Sequence, residues 1–272
     1  MNLNLKKLKA HKTFGGETAF WSHPSALTGT TMKFSTFVPE GDIRGCIIWL
    51  SGLTCSEENF ITKAGAQKYL AQHHLMVICP DTSPRGLNLP NEHDSYDFGS
   101  GASFYVDATT PEYEKHYKME SYIVDELYGL IQDDFGMKKI SIMGHSMGGH
   151  GALTLGLRHP EKFKSISAFS PIVHPSVSPW GIKAFTGYLG KDEDEWKNHD
   201  ATELIESGKT HPCTILIHQG TMDEYLTKEL LTEDIRTGTQ KLDIRYIEEY
   251  DHSYYFIATF IEEHIKHHRA YL

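Results

Sequence analysis

Short, β-rich apolar runs recur along the chain: Met32–Val38, Cys46–Leu50, Leu75–Cys79, Ile140–Met143, Ser165–Phe169, Thr214–Ile217 and Ile244–Ile247. Runs this short and this apolar suit strands covered on both faces, as in a parallel sheet. Helical patterns lie between them. Ile123, Leu127, Leu130, Ile131 and Phe135 recur at helical spacing and stop at Gly136, and Ala152–Leu157 continues a helix that ends before Pro160. Leu226–Thr237 and Tyr254–His267 show similar patterns. Strand–helix alternation implies right-handed crossovers and an α/β fold, a mostly parallel central sheet flanked by helices. Two stretches interrupt the alternation. Asn88–Thr110 is polar, aromatic and aperiodic, and Pro171–Trp196 carries three prolines and two tryptophans. Both read as insertions near strand ends, where α/β enzymes place their sites.

No internal repeat, low-complexity tract or Pro/Ser linker divides the 272 residues, so one domain spanning 1–272 is expected. A hydrophobic content of 39% allows a sizeable core and does not fit a disordered chain. The formal charge of −10 argues against nonspecific nucleic-acid binding and against docking on anionic membranes. No apolar run reaches the length of about 18 residues that a bilayer span requires. Met1–Lys12 carries four lysines but no apolar signal-peptide segment. Cys46, Cys55, Cys79 and Cys213 are far apart and form no CxxC, so neither a disulfide scaffold nor a zinc ribbon is indicated. A reduced, cytoplasmic setting is the expectation. Among 17 histidines, His264, His267 and His268 fall at helical i, i+3, i+4 spacing. A metal site there is conceivable, but no cysteine or second cluster accompanies it, and a solvated helix end is expected instead.

The strongest local signal is Gly144-His145-Ser146-Met147-Gly148-Gly149, a G-x-S-x-G pattern. The buried-strand run Ile140–Met143 leads in, and a small-residue helix leads out. That context matters more than the pattern, because an ordinary Gly-rich strand–helix turn would give the same letters. The serine must sit on a tight, strained turn so that its hydroxyl projects above the sheet, and the flanking glycines remove Cβ atoms that would collide there.

A serine hydroxyl needs a base and an orienting acid, and on a strand–elbow–helix scaffold these follow in the order Ser, Asp/Glu, His. Asp223 lies just after the Thr214–Ile217 strand and a Gly220 turn and is the chosen acid; Glu224, Asp192, Asp194 and Asp200 compete less well. His252, between the Ile244–Ile247 strand and the last helix, is the chosen base, against His211, His218 and His264. The N–H of Met147, directly after the serine, should supply one oxyanion donor. The second should come from Leu53 or its neighbour in Trp49-Leu50-Ser51-Gly52-Leu53-Thr54-Cys55, which brings Cys55 close to the site or leaves it a small buried side chain.

With these residues in view, the chain resembles the S-formylglutathione hydrolases, the esterase D family of α/β-hydrolases. The resemblance rests on long blocks in order: Thr13-Phe14-Gly15-Gly16, the Trp49–Cys55 segment with Glu58-Asn59-Phe60, and Pro80-Asp81-Thr82-Ser83-Pro84-Arg85-Gly86. Phe98-Gly99, Phe104-Tyr105-Val106-Asp107-Ala108-Thr109, Gly144–Leu153 and Tyr250–Ile257 complete it. It implies the α/β-hydrolase fold and hydrolysis of the thioester S-formylglutathione to formate and glutathione in formaldehyde detoxification. It also implies carboxylesterase side activity, no metal or other cofactor, and often a homodimer. Carried over, it places a triad on Ser146, Asp223 and His252 and an oxyanion hole on the amides of Leu53 and Met147.

Two positions depart from the family pattern. Tyr96 stands where Trp is usual, in a pocket expected to touch substrate, and His218 stands where Asp is usual. An anionic glutathione conjugate on a −10 chain needs local cations, for which Lys63 and Arg85 are candidates, with surface ion pairing as the alternative for each. Two other readings remain: a short-chain carboxylesterase without a glutathione role, and a non-catalytic binding protein on the same scaffold. The second is disfavoured because no triad member is missing.

Overall fold

The computed structural model describes residues 4–236 and 238–272. Nine strands form one sheet: β1 (Lys6–Thr13), β2 (Gly16–Pro24), β3 (Thr31–Pro39), β4 (Gly45–Leu50), β5 (Leu75–Pro80), β6 (Ile140–His145), β7 (Phe163–Phe169), β8 (Ile215–Gly220) and β9 (Leu242–Ile247). Their spatial order is β1-β2-β3-β5-β4-β6-β7-β8-β9. The first three strands and the β3–β5 pair are antiparallel, and all remaining pairs are parallel. The sheet is therefore mixed but mostly parallel. Strands β4, β5 and β6 are buried along their whole length, as the unbroken apolar runs of β4 and β5 require. β9 is an edge strand and only half-buried, so its run does not have two covered faces.

The hairpin β1–β2 is not legible as strands. β1 is exposed throughout and lysine-rich, with no apolar alternation to mark it. It is held by pairing with β2 across a Phe14-Gly15 turn in which both residues have positive φ. Helices cover both faces. Met119–Asp133, Met147–Arg158 and Pro179–Leu189 pack into one core, with Ile123, Leu127, Leu130, Ile131, Leu153 and Phe185 buried against β4, β6 and β7. Glu58–Lys63, Gln67–His73 and Tyr254–Arg269 cover the other face, with Phe60, Leu70, Phe256, Ile257 and Ile261 around Trp49.

Three local expectations are corrected. The Leu226–Thr237 pattern yields only a short wide turn of helix, Leu226–Leu230, ended by Leu231 at φ 54°; Thr237 lies outside the described residues. Pro171–Trp196 contains a regular helix, Pro179–Leu189, started by the Ser178 side chain accepting from the Gly181 N–H and by proline in the first turn. The His264/His267/His268 group is not a solvated helix end. His264 and His268 are fully buried on the inner face of the last helix. The serines of β7 make this possible, being small enough to admit the rings and polar enough to satisfy them. His268 sits between Ser165 Oγ (2.7 Å) and Ser167 Oγ (2.8 Å), His264 Nδ1 is 2.8 Å from Ser167 Oγ, and His267 Nε2 is 3.2 Å from the Ile166 carbonyl.

Candidate active site

The sheet order reverses at β4, which runs between β5 and β6. The C-terminal ends of β4 and β6 lie side by side, with Leu50 paired to Gly144. This is the switch point at which open α/β sheets leave a crevice. The loop Ser51–Cys55 leaves one strand there and Ser146 leaves the other.

Ser146 has φ 58° and ψ −120°, a conformation that costs an L-residue on the order of 1–3 kcal/mol. The turn has no room to relax. A Cβ on Gly144 would lie 2.0 Å from the Gly148 carbonyl oxygen, and one on Gly148 would lie 2.0 Å from that of Leu50. The Ser146 N–H donates to the Phe169 carbonyl (3.0 Å), and its own carbonyl accepts from the His150 N–H (2.9 Å). Met147 opens the following helix, so its N–H has no acceptor within that helix. Among the described residues nothing accepts from the Leu53 N–H, while its neighbour Thr54 donates to the Gly101 carbonyl (2.9 Å).

The loops after β8 and β9 interlock. The Met222 N–H donates to the Tyr250 carbonyl (2.9 Å), and the Thr221 N–H donates to that of Ile247 (3.0 Å). This brings Asp223 and His252 together: Oδ2 of the buried carboxylate is 2.6 Å from His252 Nδ1. The Gln219 side chain donates to the same oxygen (3.3 Å), and the Tyr225 N–H donates to Oδ1 (3.0 Å). A carboxylate on Nδ1 fixes the tautomer that leaves Nε2 free to take a proton. His145 packs against the His252 ring with centroids 4.4 Å apart, and Tyr225 meets it edge-on at 4.9 Å. Burial pushes the His145 imidazole well below its ordinary pKa, so it stays neutral beside His252.

Among the competitors, Glu224 is exposed beside Asp223, and the other acids and histidines lie away from the cleft. Asp192 and Asp200 cap the short helices Glu193–Trp196 and Ala201–Glu206, and Asp194 pairs with Lys197. His211 bonds the Phe163 carbonyl and the Cys213 N–H. His218 is fully buried on β8, facing Phe169 and Phe260.

Ser146 and His252 line a cleft of about 340 Å³. Leu53, Cys55, Lys63 and Tyr96 line it too. Burial pushes the Cys55 thiol up, partly offset by the charge of Lys63, which leaves a neutral sulfur at the wall. Arg85 is not among the lining residues. Its guanidinium clasps Asp81 (Nη2–Oδ1 2.7 Å) and donates to the Cys55 carbonyl (2.9 Å), so its fork is spent holding the loop. Trp180 and Tyr225 complete an aromatic wall with Tyr96, and Tyr254 also lines the cleft. None of these three was singled out from sequence. Trp180 follows the Ser178-Pro179 helix start and Tyr225 follows Asp223 by two residues, but neither position by itself marks a cleft-lining ring.

A mostly parallel sheet with a serine on a strained turn after a central strand, and an Asp–His pair on two later strand ends, defines an α/β-hydrolase fold. The chain matches the Esterase family model over residues 25–267. It is similar to the S-formylglutathione hydrolases of Rattus norvegicus, at 48% identity over 99% of both chains, and of Arabidopsis thaliana, at 45% over 98% of both. The solved structure of an S-formylglutathione hydrolase from Agrobacterium tumefaciens superposes with a TM-score of 0.94 at 41% identity, covering 98% of this chain and 99% of that one. The chain belongs to the S-formylglutathione hydrolase family of esterases.

Proposed function

We propose that this chain hydrolyses S-formylglutathione to formate and glutathione through Ser146, His252 and Asp223. The observation that carries the reading is its end-to-end similarity to relatives bearing that activity as their name. His252 Nε2 takes the Ser146 hydroxyl proton as Oγ adds to the formyl carbonyl, and Asp223 holds the imidazolium that forms. The amides of Leu53 and Met147 receive the oxyanion. Collapse breaks the C–S bond, and His252 returns the proton to the departing sulfur. Water, deprotonated by His252, then releases formate from the formyl-serine. Thiolates leave readily, so positioning and oxyanion stabilisation supply most of the acceleration.

Ser146→Ala is expected to abolish thioester turnover while leaving the circular dichroism spectrum unchanged; near-normal turnover would sink the assignment. Comparing kcat/KM for S-formylglutathione and a short aryl ester separates this reading from a general carboxylesterase, for which the aromatic wall of Tyr96, Trp180 and Tyr225 speaks. The family reading carries with it a cytoplasmic homodimer of one-domain subunits. Light scattering, cell fractionation and a single cooperative unfolding transition test those three points. No helix among the described residues is long and apolar enough to cross a membrane.

A further inference from the structure

We propose that Lys63 and the depression it shares with Tyr254 and Tyr255 form the subsite for a carboxylate of the leaving thiol, so that the cleft has a fixed direction, its thiol arm running toward the start of the last helix. The inference rests on the reading that the substrate is a glutathione thioester.

The argument begins with charge. The chain carries −10, so its overall field repels an anionic thioester. Within the cleft the balance is different. No Asp or Glu lines it, and Lys63 is the lysine that does. Among the described residues no carboxylate lies within ion-pair distance of its ammonium, unlike Lys7, Lys9, Lys12, Lys162 and Lys183, each of which is paired. Its Nζ stands over the Tyr254 ring, 5.5 Å from the centroid. A ring face holds the ammonium in place without neutralising it.

Space adds the second line. Beyond the cleft lies a separate depression of about 430 Å³ lined by Lys63, Tyr254, Tyr255 and Ala258. Lys63 and Tyr254 belong to both cavities. A thioester whose carbonyl lies between Ser146 and the two amides can therefore extend along Tyr254 and end with its carboxylate at Lys63. Tyr255, 84% exposed, offers a ring and a hydroxyl along that path. The linked rings of Tyr96, Trp180 and Tyr225, which also line the cleft, suit the acyl side or an apolar ester group.

The test reads binding, so that it does not depend on thioester turnover. S-methylglutathione is used as an inhibitor of 4-nitrophenyl acetate hydrolysis, alongside its diethyl ester, in which both carboxylates are neutral. Residual acetate hydrolysis reports that each variant folds. In wild type the diacid is expected to bind more tightly than the diester. Lys63→Met is expected to raise the inhibition constant of the diacid about fivefold, the scale of one partly exposed ion pair, and Lys63→Glu to raise it further. The diester constant should move much less. Added salt should weaken the diacid in wild type and have little effect in Lys63→Met. Equal shifts for both inhibitors, or none for either, would overturn the subsite. A wild type that fails to hydrolyse S-formylglutathione while its inhibition still depends on Lys63 would defeat the proposed reaction and keep the subsite. Normal thioester turnover with Lys63-independent inhibition would do the reverse.

Discussion

Two groups of histidines, one at the cleft and one between the last helix and strands β7 and β8, are built on opposite terms. At the cleft, His252 sits on a loop with a carboxylate at 2.6 Å and its ring reaching the cleft, and neutral His145 packs beside it. Beneath the last helix, His218, His264 and His268 are fully buried, and the partners within hydrogen-bond distance of His264 and His268 are serine hydroxyls. The residue type is the same; the partner and the access to solvent differ. A buried carboxylate stabilises an imidazolium, so the first group can cycle a proton. A serine hydroxyl satisfies a neutral ring and offers no compensation for charge, so His264 and His268 serve packing. Among the described residues the His218 ring makes no hydrogen bond, and the nearest carboxylate, that of Glu263, is 3.8 Å from its Nε2.

The contrast can be broken most decisively at Asp223. Asp223→Asn keeps the shape but favours the wrong tautomer of His252, and kcat should fall about 10⁴-fold, the scale seen for that change in other triads. A loss of only a few fold in steady-state assays would place His252 with the structural histidines. On the buried side, His268→Ala leaves Ser165 and Ser167 short of a partner and opens a cavity. It should lower the unfolding free energy by about 2–3 kcal/mol, read as a shifted urea midpoint, with kcat changed less than about threefold. A kcat loss comparable to that of Asp223→Asn would erase the division.

Acid provides a smaller, graded test. Burial lowers the pKa of His218 to about 4, with Arg245 adding to the shift, and holds His264 and His268 well below the ordinary value. These groups bind protons in the unfolded chain near pH 6.5 but not in the native one. Their contribution to stability is therefore complete above that pH and is lost progressively as the pH falls toward 4. Each adds a slope of at most roughly 1.4 kcal/mol per pH unit. Replacing His218 with Phe should flatten the decline in melting temperature between pH 6.5 and 5 by one group's share. An unchanged slope would mean that His218 is not held neutral by its surroundings.

The sequence was most readable where one physical requirement dominated. Strands β4 and β5 announce themselves because burial on both faces forces unbroken apolar runs, and the turn at Ser146 announces itself because glycines are required where a Cβ would meet a carbonyl at 2.0 Å. The positions of Asp223 and His252 follow from strand ends and chain order. Residues with mixed demands were harder to read. β1 pairs through its backbone while its side chains face water, so no hydrophobic period marks it. For Arg85 the sequence leaves a substrate cation and an ion pair both open; Asp81 is four residues away, but only the fold of the loop shows that the two are clasped. His264 and His268 looked solvated because nothing on their own helix reveals the serines of β7.

Ser146 has a consequence for how this fold can change. Its positive φ is a conformation that glycine adopts freely and every other residue adopts at a cost. Ser146→Gly should thus be more stable than Ser146→Ala by about 1 kcal/mol, and at least as stable as the parent, while lacking the hydroxyl. Selection for thermal stability alone would tend to erase the serine first. A thermostability screen of this scaffold run without an activity gate would enrich chains that lack the hydroxyl at this one position.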